Sequence, residues 1–473
     1  MVENGTAESG QRGASGAGAD PAQAPNPLDA MRIAYESGAR LPAPQVTRPL
    51  AECVGEVLAQ DVRVVRDVPH YDSSAMDGFA VRGPGPWTVG ECAWPVATGS
   101  LVPPEATSVV RQEWVRVDAG GADAGASGAG AGTAGAAQIS LAPGAPQRDL
   151  EPGRNIRRAG REARTGDLVA RAGDVLTPAQ VAFAAVAGHD ALPVRARPRV
   201  GLLLTGTEVV ASGLPQPGFV RDAFGPQLPA YVRMLGAEVV ASVRIGDGEA
   251  ETEAALDQLV GQCDVVVSTG GTGHSRVDEV RRAALRRVTG EVGSGLDGSA
   301  RAGSDGSGSA EPNSKSGRVL FPELNMRPGH PTFLMEHSGV VHVGLPGNPL
   351  AAMVALRLVL THVLRGALGR GIEQPGVVSL AHDFDPGQGR SGAGSAWRVM
   401  PAKPVDTSAG EGAQQSTQSR DASGTGAYPN RWELCDKRGS NMLRGLAQAR
   451  GLVVIPPEGA GAGDAVACLP LPV

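Results

Sequence analysis

The chain is 473 residues long, with a formal net charge of −6 and only 3% aromatic residues. That acidic balance argues against a nucleic-acid binder, which ordinarily presents a basic face. No window approaches about 18 uninterrupted apolar residues, so the sequence offers no membrane span. Length suggests about three domains. The 67 glycines point to disorder at first sight, but the bias is confined to segments 1–26, 119–138, 291–317 and 386–427. These are rich in Gly, Ala, Ser and Gln and lack apolar periodicity, so they are read as disordered. What remains suffices for a substantial core. The five cysteines are scattered, without any C-x-x-C spacing, and the N-terminus lacks a basic and then apolar leader. Both features point to a soluble protein of the reducing cytoplasm.

In chain order, Leu28 to Ser37 is a predicted helix and Val62 to Val65 a strand. Residues 67–81 follow as a turn-rich passage with three carboxylates. Asp77 there is either ordinary Asp-Gly turn chemistry or a metal or acid–base group. Trp87 to Val117 reads as all-β, with Ala97-Thr98-Gly99-Ser100 as a ligand loop or a plain turn. Arginines 154, 157, 158, 161 and 164 cluster beside one acid, Glu162, as a solvated face or an anion receiver. Thr177 to Gly188 is a helix with a threonine cap, Pro178 at its first position and a glycine past its end.

A different pattern begins at Arg199. Strands at 200–204, 239–245 and 264–267 alternate with helices at 228–235 and 249–260, the mark of a parallel, doubly wound sheet. Glu208, Asp247 and the loop 268–278 all follow the carboxyl ends of strands, the edge where open α/β sheets bind ligands. The loop carries Ser268, Gly270, Gly271 and Thr272. It leads into a helix expected to start near Ser275, with Asp278 in its first turn. Backbone donors there suit phosphates, and an adjacent carboxylate suits a metal ion or an attacking water. The spacing is not that of a dinucleotide fingerprint, because Arg276 stands where the third glycine belongs. Further on, Arg327 and His330 flank a Pro-Gly turn and are placed to clamp an oxyanion. Pro346-Gly347-Asn348-Pro349 forms a rigid turn before a helix from Leu350 to Arg365. Residues 375–473 read as a small β domain, with strands at 377–382, 396–399 and 451–455.

Six motifs in fixed order carry a resemblance. They are Ser74-Ala-Met-Asp-Gly78, Asn155-Ile-Arg-Arg158, Thr205-Gly-Thr-Glu208, Ser268-Thr-Gly-Gly271 with Asp278, Arg327-Pro-Gly-His-Pro331 and Gly344-Leu-Pro-Gly-Asn-Pro349. Together they resemble the molybdopterin molybdenumtransferase family, which includes MoeA and the C-terminal domain of gephyrin. The resemblance implies a MogA-like, doubly wound α/β central domain, mainly β N-terminal subdomains and a small C-terminal β-barrel. The expected boundaries are a disordered tail at 1–27, N-terminal subdomains at 28–197, the α/β domain at 198–370 and the barrel at 371–473.

The chemistry implied is insertion of molybdate into adenylylated molybdopterin with release of AMP, assisted by Mg²⁺, in a homodimer. A pathway adenylyltransferase is an implied partner. Asp77, Glu208, Asp247 and Asp278 match catalytic positions, with Asp247 and Asp278 as metal ligands and Thr98, Arg398 and Ser440 as binding groups. Two readings compete with this one, an adenylyltransferase of the same pathway and a non-catalytic scaffold. The sequence departs from the family at three places. His330 replaces a lysine, Arg161-Glu162 carries one carboxylate fewer, and Asp222-Ala-Phe224 lacks two polar groups.

Overall fold

The computed structural model describes residues 24–118, 137–273, 278–290, 317–385, 396–405 and 431–472. These fall into two compact units, Gln45–Arg195 and the remainder of the chain on either side of it.

The Gln45–Arg195 unit is mainly β, as expected. Gln45–Pro49 pairs antiparallel with Ala191–Arg195 over a core of Leu58, Leu192 and Val194. The Pro178–Val186 helix packs into this region and carries a full capping box between Thr177 and Gln180. Gly78–Val81 lies between Ala93–Val96 and Ser108–Arg111 in one small antiparallel sheet. Gln138–Leu141 lies between Trp87–Thr88 and Val115–Asp118 in another. Trp87, 1% exposed, fills the core there.

The other unit is built on a six-stranded sheet: β1 (Arg199–Thr205), β2 (Glu238–Ile245), β3 (Val265–Thr269), β4 (Arg318–Phe321), β5 (Phe333–His337) and β6 (Val340–Leu345). Its spatial order is β2-β1-β3-β6-β5-β4. The first four in that order are parallel, and β5 and β4 continue the sheet antiparallel. β3 is buried at every position, which explains its unbroken apolar run, whereas the edge strand β2 is exposed at alternate residues. The β5–β6 hairpin has no counterpart in the sequence reading. Val340–Leu345 is wholly buried, so it lacks the alternation that marks a hairpin strand.

Pro349–Ala367 is the core helix of this unit, with one π-helical turn at Leu356–Leu360. It is long and apolar enough to cross a membrane by length and composition, but 89% of it is buried inside the protein. The Pro27–Ala39 helix packs on its second half. A Cβ on Gly38 or Gly366 would run into the opposing backbone, so these two glycines set the close approach. Residues 24–44 therefore fold with the α/β unit, which divides the stretch 28–197 expected to form one N-terminal part.

Residues 376–470 close the five-stranded barrel. Trp397–Pro404 pairs with both Arg431–Leu434 and Gly451–Ile455. Gly376–Leu380 joins Arg431–Leu434 to Ala465–Pro470, and Ala465–Pro470 returns to Gly451–Ile455. Closure leaves no free edge. Strand Trp397–Pro404 covers the strand expected at 396–399, inside the segment 386–427 otherwise read as disordered, and carries it on through the buried Ala402. The rest of that segment, and most of 1–26, 119–138 and 291–317, lies outside the described residues.

Candidate functional site

The register of the parallel strands brings four loops to one edge. Thr205 lies opposite Ile245, and Thr269 lies between Leu204 and Leu345. Each strand stops there, and each loop carries polar groups. Asp247 Oδ2 accepts from the Thr207 hydroxyl at 2.7 Å and its N–H at 3.2 Å, tying the β1 and β2 loops together. Glu208 is exposed next to this link. Gly270 and Gly271 have φ of +84° and +60°, a conformation that suits glycine. A Cβ on Gly270 would lie 2.6 Å from Thr205 Oγ1, the hydroxyl that donates to the Thr269 carbonyl at 2.7 Å. The Pro346–Pro349 turn closes over the same loop, since Gly347 approaches Gly270 Cα.

Asp278 is the residue before the Glu279–Thr289 helix rather than part of its first turn, and its carboxylate lies against Gly273. Ser275, where the helix was expected to start, lies outside the described residues. Arg281, 8% exposed, binds this region to the next. Its backbone N–H donates to the Gly271 carbonyl at 3.0 Å, and its guanidinium donates to Pro322 O at 2.8 Å. Burial pushes the Arg281 guanidinium down, and the neighbouring charges of Glu323 and Asp278 oppose that.

A cavity of about 490 Å³ opens where this unit meets the barrel. Met326–Arg327 forms a short parallel pairing with Trp397–Arg398, which makes Arg327 and Arg398 direct register partners. Both line the cavity, together with His330, Asn348, Arg438 and Ser440. Burial pushes the Arg398 guanidinium below its ordinary value, and Arg327 beside it pushes the same way. Two like charges side by side on a sheet repel, and an anion held between them would relieve that repulsion. His330 Nδ1 lies 2.7 Å from the Leu324 carbonyl and its Nε2 3.5 Å from Glu323 Oε2. Ser440 is fixed by its carbonyl, which accepts from Ala351 N–H at 3.2 Å.

Asp77 and Thr98 belong to the Gln45–Arg195 unit. Asp77 Oδ1 accepts from Thr98 N–H at 2.6 Å, and the Thr98 backbone and hydroxyl hold the carboxyl below the usual range. Gly78 follows at φ +154°, where a Cβ would strike the Val110 carbonyl. The arginine run is exposed throughout, and Arg158 pairs with Asp72 at 2.5 Å.

Ser268 does not belong with these groups. It is fully buried, and its hydroxyl lies 3.0 Å from His342 Nε2. His342 Nδ1 in turn lies 3.0 Å from His337 Nε2. The side chain predicted to bind ligand faces the interior because β3 has an interior face on each side. Arg281, Glu323, Asp385 and Arg438 were missed by sequence reasoning. Arg438 lies two residues before Ser440, which was the available signal.

An oxyanion cavity beside a carboxylate-bearing edge of a parallel sheet defines an α/β protein that handles phosphorylated or oxyanionic ligands. Comparison with known proteins narrows the class. Residues 22–188 match the MoeA N-terminal region (domain I and II), and 201–366 match a probable molybdopterin binding domain. Molybdopterin molybdenumtransferase 2 of Mycobacterium tuberculosis is 31% identical over 350 residues, 68% of this chain and 75% of that relative. The Haemophilus influenzae molybdopterin molybdenumtransferase is 27% identical over 338 residues, 67% and 71% of the two chains. In fold, the chain is similar to a molybdopterin biosynthesis MoeA protein from Pyrococcus horikoshii, with TM-score 0.65, 21% identity and 93% and 98% coverage. The chain belongs to the molybdopterin molybdenumtransferase family, transferases of molybdenum cofactor biosynthesis.

Proposed function

We propose that this chain inserts molybdate into adenylylated molybdopterin, releasing AMP and giving molybdenum cofactor. The observation that carries the reading is the pairing of two chemistries in one unit. One is a cavity with Arg327 and Arg398 in register; the other is a sheet edge bearing Glu208, Asp247 and Asp278. Molybdate is a tetrahedral dianion, and guanidiniums with a hydroxyl such as Ser440 match it. The pyrophosphate linkage of the other substrate suits the Gly270–Gly273 loop, whose backbone donors and following helix favour phosphate.

Among the described residues, no three His, Cys, Asp or Glu side chains form a metal cage. The two edge carboxylates, Asp247 and Asp278, are a donor set that suits Mg²⁺, which is held by one or two carboxylates and completed by substrate phosphates. Asp247 and Asp278 would hold it, and it would supply charge neutralisation at the pyrophosphate oxygens. Asp247, fixed by Thr207, keeps its carboxylate in place without a rearrangement. Asp278 orients the water that attacks the linkage and accepts its proton. In this reading Asp77 is a further active-site carboxylate, held ionised by Thr98. Pro346 and Pro349 keep the 346–349 turn against Gly270. We further read the protein as a homodimer of the cytoplasm; the five free thiols support a reducing compartment.

The test is incubation of the pure protein with adenylylated molybdopterin, Mg²⁺ and molybdate, with AMP release measured. Molybdate-dependent AMP release is expected. Pyrophosphate release from ATP and molybdopterin, with no molybdate dependence, would favour the adenylyltransferase reading instead.

A further inference from the structure

The oxyanion cavity contains one cation that neither the motifs nor the family correspondence picks out. Arg438 lines it with Arg327 and Arg398, from the loop that also brings in Ser440. Its Nη1 donates to the Cys435 carbonyl at 3.0 Å, which anchors the guanidinium to the barrel. His330 stands in the opposite condition. When neutral, its ring donates from Nδ1 to the Leu324 carbonyl, which leaves an Nε2 lone pair that repels an oxyanion. When protonated, its Nε2 faces Glu323 Oε2 at 3.5 Å, so a carboxylate already offsets its charge. In neither state does His330 bring a net positive charge to the cavity.

Three guanidiniums and one carboxylate, Asp385, then line the space. Their surplus is two positive charges, the charge of molybdate. Without Arg438 the surplus is one. We propose that Arg438 is a specificity-determining residue of this site: it supplies the fixed charge that His330 withholds and fits the cavity to a dianion rather than a monoanion. This rests on the molybdate reading above and adds a residue to it.

Calorimetric titration of the full chain with sodium molybdate, and separately with perrhenate as a tetrahedral monoanion, tests the proposal. Arg438→Gln should weaken molybdate binding about tenfold and perrhenate binding less, because a lost unit charge counts twice against a dianion. Arg438→Lys should stay within about threefold of wild type, since the charge remains. Placing Asp385→Asn in the Arg438→Gln background returns the surplus to two and should restore most of the lost affinity. Wild-type affinity in Arg438→Gln, or equal losses for the two anions, would overturn the role of Arg438 while leaving the molybdate site standing. Failure of the double variant to recover any affinity would do the same. If wild type itself does not bind molybdate, the functional reading falls and this inference with it. Unchanged melting temperatures separate all of these outcomes from misfolding.

Discussion

The carboxyl edge of the sheet and the barrel-side cavity sit in the same unit and are built on opposite electrostatic principles. At the sheet edge, carboxylates stand among backbone donors: Asp247 accepts from Thr207, and Asp278 lies against Gly273 with the buried Arg281 nearby. At the cavity, guanidiniums are set beside one another, with Arg327 and Arg398 as register partners. Under the proposed function the first arrangement takes a cation and a polyphosphate, and the second an oxyanion. That reading gives the protein reason to use separate groups for the two, since each ligand would otherwise neutralise the other's binding groups. Substitutions at the two places should therefore fail in different ways.

The largest effect belongs to the acidic edge. Asp278→Asn is expected to lower AMP release by about a hundredfold or more, because it removes the charge that orients water and assists the metal. Molybdate affinity, measured without nucleotide, should stay within about twofold. Near-normal turnover in this variant would return Asp278 to an ordinary residue at a helix start. The cationic cavity should give the converse. Arg398→Met is expected to weaken molybdate binding about tenfold. A variant that loses stability and keeps its affinity would mean that Arg398 is a structural cation.

The acidic edge was far more legible in the sequence than the cavity. Each carboxylate follows a strand with a recognisable apolar run, so a single local rule locates Glu208, Asp247 and Asp278 together. The cavity draws its residues from five stretches, 327–331, 346–351, 384–385, 398–400 and 438–440, and a two-residue strand pairing joins Arg327 to Arg398. Nothing local signals that pairing. Arg327 and Arg398 were identified by motif correspondence, but Arg438, Asp385 and Glu323 belong to no motif and emerge with the fold. The β5–β6 hairpin was hidden because both strands are buried in a mixed sheet and neither alternates. Ser268 was misjudged for a related reason. Loop chemistry is assigned two residues too early, at a position still inside the strand.

The same unit also buries three histidines, and acid should find them. Burial pushes His337 down to about 4, with Arg287 adding to the shift and Glu253 opposing it. Burial, with His337 and Arg287 nearby, holds His342 well below its ordinary value. His362 is pushed to about 4, again chiefly by burial. In the unfolded chain each titrates near about 6.5. Between about pH 6.5 and 4 the unfolded chain takes up protons that the folded chain refuses. Stability is thus complete above that window and falls as pH drops through it. Each independent histidine contributes up to about 1.4 kcal/mol per pH unit. Urea unfolding at pH 7 and pH 5 should show a lower midpoint at pH 5, and a smaller drop for His362→Gln. Equal midpoints for wild type at the two values would show that these rings accept protons in place.

The smallest expected effect on catalysis is at Ser268, and it marks where the acidic edge ends. The hydroxyl lies 3.0 Å from His342 Nε2, at the head of a buried chain that continues to His337. The next residue, Thr269, already receives the Thr205 hydroxyl at its carbonyl, and the ligand-facing loop begins at Gly270. Ser268→Ala should therefore change kcat and KM by less than about twofold. It should nonetheless destabilise the fold by about 1–3 kcal/mol, because His342 Nε2 loses its partner in a site that water does not reach. Ser268→Thr would keep the hydroxyl but must place an extra methyl in a filled interior, so its cost is of similar size. A tenfold loss of turnover in Ser268→Ala at wild-type stability would put the hydroxyl back among the ligand groups, with the edge beginning two residues earlier than the hydrogen bonds indicate.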